Sequence, residues 1–117
     1  MALTRDQILS ANDLELAQIK VPAWGGTVFV RAMSASERLD FETTAEKLGD
    51  KDGGSLRIMA LYLCRVICDG NGDRLFKDED AALILGKKAS VVLELFGKAS
   101  EHNSLTESDI EDLEKNL

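Results

Sequence analysis

The sequence predicts a mainly α protein carrying one small N-terminal β-hairpin, an α+β single domain with about five to six helices. Three observations carry that expectation. Alternating residues flank a Pro–Gly turn between about 15 and 33. Helical periodicity dominates from 34 to 117. The length of 117 residues suits one domain with a real core and is too short for two.

The hairpin centres on Val21-Pro22-Ala23-Trp24-Gly25-Gly26, which holds the only Pro and the only Trp of the chain. Ala17, Ile19 and Val21 alternate with Gln18 and Lys20 on the way in, and Val28 and Val30 alternate with Thr27, Phe29 and Arg31 on the way out. Pro22 cannot donate to a ladder and Gly25-Gly26 tolerates positive φ, so the chain should reverse there with Trp24 at the turn. Trp24 then either folds over its own turn or presents a large apolar surface to a partner.

The helices follow in order. Thr4 and Gln7 form a capping box for a short helix through about Ala11, with Leu3, Ile8 and Leu9 as its apolar anchors. Ser34 and Glu37 repeat that box ahead of a helix to about Leu48 that should bury Phe41, Ala45 and Leu48. Gly49 to Gly54 is charged and glycine-rich, predicting the most mobile connection. From Ser55 to Cys68 apolar residues nearly surround a helix, including Leu56, Leu63 and Ile67, which places it at the centre of the fold. Asp69-Gly70-Asn71-Gly72-Asp73 predicts a tight polar turn and Arg74-Leu75-Phe76 a brief extended segment. A short helix from Asp78 or Lys77 through Ile84 should stop at Gly86 as its C′ residue, and a longer one should run from about Lys88 to His102. Thr106 with Asp109 caps a last helix bearing Ile110, Leu113 and Leu117 on one face, which either closes the domain or docks on a neighbouring subunit.

Composition narrows the chemistry. With 21 acidic and 14 basic residues the net charge is −7, which disfavours nucleic acid and anionic membrane and points to protein partners. The start Met1-Ala2-Leu3-Thr4-Arg5-Asp6 has no secretory apolar region and no run is long enough to span a membrane, so a cytoplasmic protein is expected. Cys64 and Cys68, spaced i, i+4, should then be reduced and buried. Asp69, Asn71, Asp73 and Asp80 match positions 1, 3, 5 and 12 of a calcium loop. Arg74 replaces the Gly needed at position 6, and Asp80 is shorter than the bidentate Glu, so calcium is not expected. Two cysteines and the single His102 cannot complete a zinc site unaided. No phosphate loop, GxSxG or HExxH is present, and no nucleophile–base pair is evident, so neither catalytic residues nor a cofactor or metal is expected.

Three stretches together resemble the phage tail assembly chaperones of siphophages: VPAWGGTVFVRAMSASERLDFE, ICDGNGDRLFKDED and LGKKASVVLELFGKASEHNSLTESDIEDLEKN. The resemblance runs from Ile8 to Asn116. Its most specific parts are the Val-Pro-x-Trp-Gly-Gly-x-Val-x-Val-Arg hairpin, the helix start at Ser34 with Glu37-Arg38, and the Asp-Gly…Arg-Leu-Phe turn, which is slightly longer here than expected. It implies a non-enzymatic chaperone that binds and solubilises the tape measure protein, helps recruit tail tube subunits, and is absent from the mature virion. It also implies a longer product made by ribosomal frameshifting. An acidic body with spare apolar faces suits such a coat. A homo-oligomeric ring or spiral is expected, using Trp24, Phe29 and Arg31 at the hairpin edge and Ile110, Leu113 and Leu117 on the last helix. Two other classes fit less well. A head–tail connector type of adaptor would remain in the virion. A small regulatory or antitoxin-like module that bound an operator would need a basic recognition helix, which is missing.

Overall fold

The chain reverses at Pro22–Trp24, a single 3-10 turn closed by Gly25 at φ 75°, the left-handed conformation for which glycine is suited. In the computed structural model, which describes residues 1–48, 53–104 and 107–115, this turn joins β1 (Leu16–Val21) to β2 (Gly26–Arg31). The antiparallel register runs from Leu16 opposite Arg31 to Val21 opposite Gly26. Period-two alternation then sends Ile19, Val21 and Val30 into the core and leaves Gln18, Lys20, Thr27 and Phe29 on the opposite face.

The sheet has a third strand that the sequence did not announce. β3 (Ile67–Cys68) pairs antiparallel with β2 through Phe29 opposite Cys68 and Val30 opposite Ile67, giving the order β1-β2-β3. The central helix, α3 (Gly54–Val66), therefore ends two residues before the expected Cys68. The reason is local competition: Ile67 is β-branched, its carbonyl accepts the Leu75 amide at 3.2 Å, and Cys68 bridges to Arg74. Both edges of this short strand are thus occupied; of the expected extended segment Arg74-Leu75-Phe76 only Arg74 is bridged, and the chain bends at Leu75.

Before the sheet, α1 (Arg5–Ser10) has the predicted Thr4–Gln7 capping box, yet none of its residues is buried. Leu3, Ile8 and Leu9 do not anchor it, being 68%, 57% and 67% exposed. After the sheet, α2 (Ala35–Leu48) starts at the Ser34 box: the Ser34 hydroxyl accepts from the Glu37 amide at 3.2 Å, and the Ser34 amide donates to Glu37 Oε1 at 3.0 Å. The Gly49–Asp52 part of the predicted connection lies outside the described residues. The remaining helices are α4 (Ala81–Ile84), α5 (Ala89–His102) and α6 (Glu107–Lys115). Leu85 caps α4 and Gly86 follows as the C′ residue, as expected, its amide donating to Leu83 O at 3.1 Å without a positive φ.

The core sits between the inner sheet face and the helices, with α3 at its centre. Ile58, Tyr62, Leu63 and Val66 on α3 are fully buried. Tyr62 packs edge-on between Phe41 of α2 and Phe96 of α5, at centroid distances of 5.5 and 5.4 Å, and its hydroxyl donates to Ala99 O at 3.1 Å. Leu56, expected in this core, is 43% exposed because it lies on the first turn of α3, ahead of the packed segment. Asn103, just past α5, ties that helix to the sheet: its Oδ1 accepts from Met33 N at 2.7 Å and its Nδ2 donates to Arg31 O at 3.1 Å.

Candidate functional site: the bare face of the sheet

Helices cover one face of the three-stranded sheet and leave much of the other open. The loop after β3 crosses part of that outer face. Asp69 folds the loop, its Oδ1 accepting from the Asn71 and Asp73 amides at 2.8 and 3.1 Å while Gly72 takes φ 85°. The carboxylate spaced like a calcium ligand thus holds its own turn. Cys68 lies beneath that turn, 1% exposed, on a different element from Cys64; both are free thiols. Burial pushes the Cys64 thiol up to about 11 and raises that of Cys68 too, so neither is a reactive thiolate at neutral pH.

Beyond the turn, an open and mostly apolar trough of about 450 Å³ lies between the hairpin tip and the 69–76 segment. Trp24, Phe29, Leu75 and Phe76 line it, with Asp69 at its rim. Trp24 is 37% exposed and stands outside the packed core, and Leu75 is 58% exposed. Trp24 and Phe29 are legible in the sequence, where Leu75-Phe76 is only part of an extended segment. The available signal was an apolar pair straight after a polar turn, with no following strand to cover it.

The other expected contact residues fare differently. Arg31 is engaged within the subunit, its Nη2 2.6 Å from Glu37 Oε2 and its Nη1 donating to Arg65 O at 3.4 Å. Burial alone would raise the Glu37 pKa, but hydrogen bonds from Ser34 and Arg31, and the Arg31 charge, outweigh it and hold the carboxyl below its ordinary value. Ile110 and Leu113 are 1% and 7% exposed inside the subunit's own core, so this face of α6 closes the domain and is not an open docking surface. α6 can do so because α2 and α3 both pack against it. Leu117 and the predicted cap Thr106 lie outside the described residues.

A second, polar hollow of about 330 Å³ is bordered by Arg31, Arg65 and Arg74. It is balanced internally. Arg65 bonds Asp40 at 2.6 Å and Asp78 at 2.8 Å, and Arg74 bonds Asp78 at 2.9 Å. Burial works to raise the Asp78 pKa and to lower that of Arg65, yet the mutual hydrogen bonds and charges win, keeping Asp78 below and Arg65 above their ordinary values. This cluster is a clamp joining α2, α3 and the 3-10 turn Asp78–Asp80 that leads into α4. Among the described residues no helix is long and apolar enough to cross a membrane. The open part of the surface is thus mainly the apolar trough.

Comparison with known proteins agrees with that geometry. Residues 5–116 match the family described as phage tail assembly chaperone. No curated protein sequence matches the chain. Among solved structures, the bacteriophage HK97 tail assembly chaperone is similar at a TM-score of 0.59 and 19% identity, covering 82% of this chain and 94% of that one. At that identity the likeness speaks for the fold alone.

Proposed function

Because the chain belongs to the phage tail assembly chaperone family, we propose that it acts without catalysis by binding the tape measure protein and keeping that long chain soluble during tail assembly. The family match over nearly the whole sequence carries this reading. The bare trough at Trp24, Phe29, Leu75 and Phe76 supports it, since an apolar patch ringed by polar residues on a −7 protein suits an apolar chain better than a nucleic acid. In this reading the subunit repeats along its client as a homo-oligomer, ring or spiral. It helps to bring tail tube subunits, through a frameshift-extended form where one is made, and stays in the host cytoplasm when the tail is complete.

Co-expression with the tape measure protein encoded by the same phage tests the proposal. The tape measure protein should move from the pellet to the soluble fraction and co-purify with this chain, and Trp24→Asp should weaken that effect while leaving helical circular dichroism intact. A tape measure protein equally insoluble with and without the chaperone would overturn it.

A further inference from the structure

The sheet has one bare margin, the outer edge of β1. In the order β1-β2-β3 no strand lies beyond it among the described residues, whereas the outer edge of β3 is taken up by Arg74 and Leu75. The register decides which main-chain groups are left over. Ile67 spends its carbonyl on the Leu75 amide, away from β2, so the Val30–Ile67 pair has no mutual hydrogen bonds and Val30 turns its amide and carbonyl to Ala17. Alternation along β1 then directs the main chain of Ala17, Ile19 and Val21 toward β2 and that of Leu16, Gln18 and Lys20 outward. Such an edge is a template for a further strand.

The space beside it is shaped to receive one. A half-open groove of about 270 Å³ follows the second half of β1, walled by Ile19, Val21 and Pro22 on one side and by Val91 and Leu95 of α5 on the other. Residues of both alternations, Ile19 and Lys20, line it, so it lies at the strand's edge and not over one face. Its charged groups are Lys20, Lys98 and Glu94, and Glu94 already bonds Lys98 at 3.3 Å. On a chain of net charge −7 the groove therefore carries a spare cation.

We propose that the β1 edge takes an extended acidic and apolar segment of another protein as a fourth strand. The main chain of that segment bonds Gln18 and Lys20, its apolar side chains enter the groove against Val91 and Leu95, and its carboxylates meet Lys20 and Lys98. A second copy is the poorer occupant, because its own β1 brings another Lys20 and a flanking α5 to a groove wide enough for a single strand. None of these residues lines the trough at Trp24, so the two surfaces are separate.

The peptide Glu-Val-Glu-Val-Thr-Val, carrying a fluorophore and titrated with the full chain, tests the proposal. Anisotropy should show saturable binding. Hydrogen exchange should slow by at least about tenfold at the Gln18 and Lys20 amides, while those of Ile19 and Val21, already turned to β2, stay as they were. Methylating alternate peptide amides should abolish binding in one register and spare it in the other, a parity that side-chain contact alone does not produce. Lys20→Glu should weaken binding several-fold, and Lys20→Glu/Lys98→Glu by at least about tenfold, at unchanged circular dichroism. Absence of binding up to about millimolar peptide would show that Lys20 guards the edge against strand addition and would overturn the proposal. Binding that protects neither amide, or that tolerates both methylation patterns, would overturn it as well. Protection of Gln18 and Lys20 in the free chain that rises with the chain's own concentration would assign the edge to a second copy and refute the proposed occupant.

Discussion

The centre of the helical body and the outer face of the sheet are built from similar residues, yet one is closed and the other open. Around Tyr62, three aromatic rings and the aliphatic side chains of α3 meet partners from α2, α5, α6 and the inner sheet face. On the outer face Trp24, Phe29 and Leu75 have no second layer of the same subunit over them. Side-chain type does not distinguish the two regions. The number of packed layers does, and a three-stranded sheet with helices on one side has one layer too few.

The largest expected effect comes from opening the closed region. Phe41→Ala, Leu63→Ala and Ile67→Ala, at 0%, 0% and 2% exposure, should each cost about 2–5 kcal/mol through lost burial and an unfilled cavity. Leu56→Ala, on the same helix but half-exposed, should cost less than about 1 kcal/mol. Urea melts of the four variants check the contrast. Equal losses at Leu56 and Leu63 would mean that α3 is packed by a second molecule as well.

Next comes the polar clamp that holds the closed region together. Arg65 has a side chain only 12% exposed and two carboxylate partners. Arg65→Ala should cost about 1–3 kcal/mol, largely because Asp78 and Asp40 lose a partly buried donor and Asp78 is left with Arg74 alone. Arg38→Ala should cost less than about 1 kcal/mol, since its bonds to Glu42 and Asp109 are longer and more exposed. Chemical denaturation of the two variants checks the order, and a larger loss at Arg38 would reverse it.

How much of this was legible in the sequence follows from where each signal resides. The hairpin, both N-terminal capping boxes and the body of the central helix are written in spacing over a few residues and form there, the helix stopping at Val66. β3 was not readable because Ile67-Cys68 continues a helical pattern; its strand state is set by pairing with Phe29 and Val30, nearly forty residues away. The face of α6 was ambiguous for the same reason, as Ile110 and Leu113 make one apolar stripe whether the partner is α2 or another subunit. The opposite error occurred at α1, where Ile8 and Leu9 read as anchors although α1 buries none of its residues. Trp24 and Phe29 were recognised, but their neighbours Leu75 and Phe76 join them only through the fold.

A smaller effect follows from two ionised carboxylates, Glu37 beside Arg31 and Asp78 in the clamp. Glu37 and Asp78 have pKa values below their ordinary ones in the folded chain, so between those values and the unfolded ones, near pH 4, the folded state binds fewer protons. Stability should therefore be fully present above about pH 5 and fall as the pH drops through that range. Glu37→Gln and Asp78→Asn should each flatten the fall while lowering stability at neutral pH. Urea midpoints from pH 3 to pH 7 read the slope, and a slope unchanged in both variants would assign acid sensitivity to other groups.

The smallest expected effect on stability belongs to the open region. Trp24→Ala removes a side chain that is 37% exposed at the hairpin tip and absent from the core, while Ile8→Asp alters a residue of α1, which buries none of its residues. Both should move the folding free energy of the isolated subunit by no more than about 0.5–1 kcal/mol, close to the ordinary range for surface changes. Urea melts at low protein concentration, where association is negligible, provide that measurement. Trp24→Ala should lower the melting temperature progressively more as the concentration is raised, because only the associated wild type gains stability by mass action. A loss of 2 kcal/mol or more at low concentration, by the usual standard for buried groups, would place Trp24 or Ile8 within the folding core of the single subunit and erase the contrast between the two regions.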